Sequence, residues 1–173
     1  MHTIRIVIAV LLLQFAMIVA AGTLFVYLGV FNVSALWTDP APVYGLLKAV
    51  RRNSIERRSV NIQVPKNMDL QDPKMIRAGF KIFIRSCMVC HGGPGLKQAD
   101  LLREGLYPKP PKFSQAYNLQ LNPQELFWVI KNGVRMTGMP SWKPSKDNTE
   151  IWELVAYLKN LPNDAKLVSA HKK

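Results

Sequence analysis

Residues 87–91 read Cys-Met-Val-Cys-His and hold both cysteines of a 173-residue chain, so neither thiol has a further cysteine partner within it. Two thiols at this spacing with a histidine directly after them are the attachment signature of a c-type haem. The thiols add to the two vinyl groups, and the histidine is placed to ligate iron through one ring nitrogen. A redox dithiol of the same spacing belongs beside a strand-helix pattern, which the flanking sequence lacks. A zinc site needs a second pair of ligands, and the remaining histidines, His2 and His171, lie at the chain's two ends.

On either side the signals are helical. Asp72-Pro73 supplies an N-cap followed by proline at the first helical position, which predicts a helix running to Cys87. Asn122-Pro123-Gln124-Glu125 predicts a second helix, with Asn122 as cap and Glu125 closing a capping box, ending near Asn132-Gly133. A third is expected from about Thr149, carrying Ile151, Leu154, Val155 and Leu158 on one stripe until Pro162. No segment of this region reads convincingly as a strand, so the expected class is all-α. Between the first two helices, HGGPGLKQADLLREGLYPKPPKFS (91–114) is loop with room for one short helix, and so long a loop needs something to wrap around.

These residues resemble the class I c-type cytochromes over about ninety positions, from Pro73 to Pro162. Gly79, Phe83 and Cys87 stand four apart, as in the first helix of that family, where a glycine admits the crossing C-terminal helix and an aromatic ring covers the haem. Leu154 and Tyr157 resemble residues of that crossing helix; periodicity alone makes all of them core. The resemblance implies a small helical domain wrapped around one covalent haem c, with His91 as one axial ligand and a methionine from the loop before the last helix as the other. Met136 and Met139 both occur in NGVRMTGMPSW, and the Gly-Met-Pro context favours Met139. A thioether is a soft, neutral ligand that favours reduced iron. In the family a proline carbonyl holds the second nitrogen of the axial histidine. Pro110 or Pro111 is the candidate, with Pro94 still open. Tyr107, Trp128 and Arg135 are candidates to meet the haem propionates, since buried carboxylates require donors or cations; for each, a packing or surface role fits equally well.

Upstream, Ile6 to Phe31 is an apolar run whose only strongly polar side chain is Gln14. As a helix rising about 1.5 Å per residue it exceeds the roughly 30 Å hydrocarbon core of a bilayer. Val19-Ala20-Ala21 is a passable signal-peptide cleavage site, but the apolar run continues through Thr23 to Leu28, beyond what such a peptide needs. A domain of about 110 residues is too small to bury so long an apolar helix on all sides, and the expected role is a transmembrane anchor. The chain therefore divides into an anchor (1–33), a linking segment (34–72) and a cytochrome domain (73–173). The linking segment opens with a turn-and-cap combination, Thr38-Asp39-Pro40-Ala41-Pro42. Residues 43–59, VYGLLKAVRRNSIERRS, then predict a basic amphipathic helix, with Val43, Leu46, Leu47 and Val50 buried against a membrane surface or a partner subunit. Val60 to Pro65 alternates like an extended tether.

The net charge of +12 raises the question of nucleic acid, but base-reading basic motifs are missing and an anchor makes that partner improbable. Acidic faces of redox proteins and anionic lipid fit the charge better. With His91 and Met139 filling both axial positions there is no open site for substrate, so the expected role is single-electron transfer and not catalysis. The expected location is a bacterial inner membrane, single-pass, with the haem domain in the periplasm, where haem is attached to such chains. Arg5 at the inner end agrees with the positive-inside rule, while the linker arginines oppose it from a distance at which the rule loses force. Three roles stay open: a subunit or close partner of a membrane respiratory oxidoreductase, a free-standing tethered carrier, and a haem enzyme or gas sensor with a dissociable methionine.

Overall fold

The computed structural model describes residues 2–93, 100–113 and 120–161, and every regular element among them is a helix. The chain forms two compact units, Met1–Trp37 and Thr38–Lys173. The first is built on α1 (His2–Tyr27), whose 26 residues rise about 39 Å at 1.5 Å each, more than a bilayer core requires. It is the one helix among the described residues long and apolar enough to cross a membrane, by length and composition. It stops short of the expected Phe31 because the chain turns at Gly29, which takes φ 61°.

The second unit contains α2 (Ala41–Ser59), α3 (Pro73–Ser86), α4 (Met88–His91), α5 (Asp100–Glu104), α6 (Pro123–Asn132) and α7 (Asn148–Lys159). Local chemistry sets the starts. The Asp72 carboxylate accepts from the Lys74 N–H at 2.8 Å ahead of α3. Asn122 and Glu125 form the reciprocal capping box of α6. A second such box, Asp147 with Glu150, starts α7 at Asn148, a residue earlier than Thr149. α7 also ends before Pro162: the Asn160 amide donates to the carbonyls of Ala156 (2.8 Å) and Leu70 (3.0 Å), tying off the last turn. Pro162 itself lies outside the described residues, as do Pro94 and His171.

The core is the crossing of α3 over α7. Ile151, Leu154, Val155 and Tyr157 of α7 are fully buried, and Phe80 and Phe83 of α3 close on Tyr157 at ring-centroid distances of 5.4 and 5.1 Å. Gly79 sits at the contact point, where the Glu153 carbonyl and the Tyr157 side chain occupy the space a Cβ would need. Phe127 of α6 stacks on Trp152 at 4.4 Å.

The segment before α3 is laid on this core and is not a free tether. Ile62, Val64, Met68 and Leu70 pack against it, while Asn61 and Gln63 on either side of Ile62 face outward, so the alternation marks a strip with one buried edge. α2 also joins the second unit, packing on α6 and burying Ile55 and Ser59. It starts after Pro40 without a side-chain cap, and the Asp39 N–H donates instead to the Tyr107 hydroxyl at 2.9 Å. The expected apolar stripe divides. Val43, Leu46 and Val50 are exposed, whereas Leu47 is half-buried on the side that meets the domain.

Candidate haem site

The end of α3 and the single turn of α4 bring Cys87, Cys90 and His91 to one edge of a cavity. The Cys87 N–H donates to the Phe83 carbonyl (2.8 Å) and the His91 N–H to the Cys87 carbonyl (3.0 Å), so the motif continues the α3 ladder with a change of direction at Cys87. Gly92 ends the turn at φ 67°, a left-handed conformation that a side chain resists, and its N–H closes on the Met88 carbonyl at 2.9 Å.

The ring of His91 is held from two sides. Its Nδ1 lies 2.9 Å from the Pro111 carbonyl oxygen. A carbonyl can only accept, so Nδ1 carries the proton and Nε2 keeps its lone pair for a metal. Phe113 stacks on the imidazole at 4.7 Å and 9°, and its N–H donates to the His91 carbonyl at 2.9 Å. Burial depresses the His91 pKa, with the bond to Pro111 working the other way, so the ring stays neutral as a ligand must. The carbonyl of Pro110, the other expected candidate, accepts from the Arg103 Nε at 2.9 Å.

The Cys87 thiol is pushed up to about 12, first by burial, with Cys90 adding to the shift and Lys146 opposing it. A thiol so hard to ionise is unlike the activated thiolate of a redox dithiol. Both sulfurs are free of a disulfide.

The cavity has a volume of about 410 Å³, within the usual range for cofactor sites. Met139 lines it together with Cys87, Cys90 and His91; Met136 does not, being 72% exposed at φ 59°. The loop that presents Met139 is pinned by the Val134 N–H on the Met139 carbonyl (3.1 Å). The Thr137 hydroxyl adds a bond to the Val134 carbonyl (2.7 Å) and accepts from the Met139 N–H (3.1 Å). A largely apolar cavity that offers two thiols, an imidazole nitrogen and a thioether sulfur fits a haem in size and in donors.

Tyr107, Trp128 and Arg135, expected beside the propionates, are absent from the lining. The Tyr107 hydroxyl accepts from Asp39, Trp128 is half-buried on α6, and Arg135 is exposed in the loop after Gly133. In their place the cavity meets Trp142, Arg103, and Tyr44, Arg51 and Ile55 of α2. Trp142 had a local signal, an aromatic residue three positions after the candidate methionine. The α2 residues had only their spacing, 44, 51 and 55, which puts them on one helical face.

Residues 74–158 match the family model described as cytochrome C oxidase, cbb3-type, subunit III. The match covers just under half the chain, from α3 to α7, and leaves out α1 and α2. Comparison with curated proteins gives no match. Taken with the helical fold and the cavity beside Cys87, Cys90 and His91, the family match makes residues 74–158 a class I c-type cytochrome domain, which implies an electron-transfer haem protein.

Proposed function

We propose that the chain carries one covalent haem c, bound through Cys87 and Cys90, with His91 and Met139 as axial ligands. It passes single electrons on the periplasmic side of a bacterial inner membrane to which α1 anchors it. The observation that carries the reading is the His91 ring, fixed by Pro111 with Nε2 free, at the edge of a cavity that Met139 also lines. When bound, the haem supplies the one-electron couple. Pro111 and Phe113 fix the imidazole, Phe83 and Leu154 line the cavity with apolar surface that excludes water, and His91 and Met139 would hold the haem that supplies this couple.

Protease added to intact spheroplasts should remove a haem stain that survives denaturing electrophoresis and comigrates with the chain. Complete protection would overturn the orientation; absence of the stain from untreated membranes would overturn covalent haem.

The chain works as a subunit or close partner of a membrane oxidoreductase, a reading supported by the oxidase-subunit description of the matching family and by the uncovered apolar stripe of α2. Val43, Leu46 and Val50 lie within about 60° of one another on the helix, at 100° per residue. Leu46→Glu with Val50→Glu should release the chain from the complex that comigrates with it in mild detergent, leaving the haem spectrum unchanged. Unaltered comigration would leave a free-standing tethered carrier as the better reading.

A further inference from the structure

Helix α2 lies outside the segment matched by the family model, yet Tyr44, Arg51 and Ile55 line the same cavity as His91 and Met139. Seven and four residues apart, they share one face, and that face is anchored: Ile55 is 7% exposed, Ser59 is 3% exposed and the helix packs on α6. Among the described residues three cationic side chains reach the cavity, and they differ in what they already hold. Arg103 gives its Nε to the Pro110 carbonyl and pairs with Glu104, and Lys109 also pairs with Glu104. Among the described residues no carboxylate lies within ion-pair distance of the Arg51 guanidinium, although the side chain is half-buried. Its neighbour Arg52 is exposed and bonded to Glu56 at 2.6 Å.

A half-buried guanidinium with no counter-charge among the described residues, facing an apolar cavity, is costly unless an anion enters with the ligand. A haem brings two propionate carboxylates on one edge, and a guanidinium can bind a carboxylate through two parallel hydrogen bonds. We propose that α2 is a built-in wall of the haem site and that Arg51 is its propionate-binding residue, so that the helix next along the chain from the membrane segment helps to set the redox equilibrium. The inference rests on the haem reading above.

A cation beside the haem favours the reduced state, which carries one positive charge fewer. In the full-length protein in detergent, Arg51→Gln should therefore lower the reduced-to-oxidised ratio at a fixed poise about three- to tenfold, as expected for one charge at cofactor distance in a medium of intermediate dielectric. Tenfold corresponds to about 59 mV for one electron. Arg52→Gln removes the same charge from the same helix on its outer side and should change the ratio less than twofold. Equal shifts in the two variants, or none in either, with haem stain present in both, overturn the proposal and leave the haem reading intact; lack of haem in the wild-type chain overturns the haem reading itself. Should Arg51→Gln fail to accumulate with haem, Arg51→Lys decides. The propionate bending vibration in its resonance Raman spectrum should move from the wild-type position, and an unmoved band counts against the bond.

Discussion

Met139→Ala should abolish the weak far-red charge-transfer band of the oxidised protein, lower its potential and open the reduced iron to carbon monoxide, whereas Met136→Ala should preserve all three properties. The band belongs to an iron–sulfur bond, so it reports the ligand directly. Replacing thioether sulfur by water or a harder donor removes the preference for reduced iron. Axial-ligand identity spans about 0.8 V across haem proteins, so a fall on the order of 0.1–0.3 V is expected. The two methionines stand three residues apart in one loop, but only Met139 lines the cavity, while Met136 is 72% exposed. Its φ of 59° puts the Met136 backbone in a left-handed turn, and the bonds between Val134, Thr137 and Met139 close the loop around it. The reverse outcome would transfer the ligand to Met136, and a band retained in both mutants would overturn the coordination.

What was legible in advance had its cause within a few residues along the chain. The haem-attachment motif is five consecutive residues, and the caps at Asp72 and Asn122 act over two and three residues. The Gly79, Phe83 and Cys87 spacing reflects one face of one helix. The α7 cap at Asp147 obeys the same local rule, an Asp-to-Glu pair three residues apart, and starts the helix one residue before the Thr149 expected from the apolar stripe.

What was not legible depends on contacts between elements far apart in sequence. Tyr107 was a candidate donor to the propionates, with a packing role fitting equally well, and its hydroxyl meets an N–H 68 positions away, at Asp39. Arg51 and Ile55 were read only as parts of a basic helix, since no rule of periodicity says that a helix has a second working face. The segment from Val60 to Pro65 shows the same effect: alternation was visible, yet whether Ile62 and Val64 have anything to lie on is decided by the core that α3 and α7 form.

Gly79→Ala should destabilise the haem domain by about 3 kcal/mol, while Gly45→Ala should be neutral or stabilising by up to about 1 kcal/mol. At Gly79 the added Cβ would fall 2.9 Å from the Tyr157 Cβ and closer still to the Glu153 carbonyl, which is backbone of α7 beside the buried Trp152 and Leu154. Neither neighbour can swing aside as a flexible side chain would, so α3 and α7 must separate and the aromatic contacts of Tyr157 with Phe80 and Phe83 loosen with them. That places the change at the upper end of the usual 1–3 kcal/mol range for overpacking, and Gly79→Val beyond it. At Gly45 nothing lies within 4 Å, and alanine removes conformational freedom from the unfolded chain at no steric cost. Thermal unfolding of the haem-loaded protein, followed by Soret circular dichroism, should show a melting temperature about 10 °C lower for Gly79→Ala. The crossing helices also carry Phe83, Cys87 and Leu154 to the cavity, so this variant should lose the far-red band at a lower temperature as well. An unchanged melting temperature for Gly79→Ala would mean that the two helices do not approach as closely as Gly79 allows, and the path from α3 to the haem site would need to be drawn again.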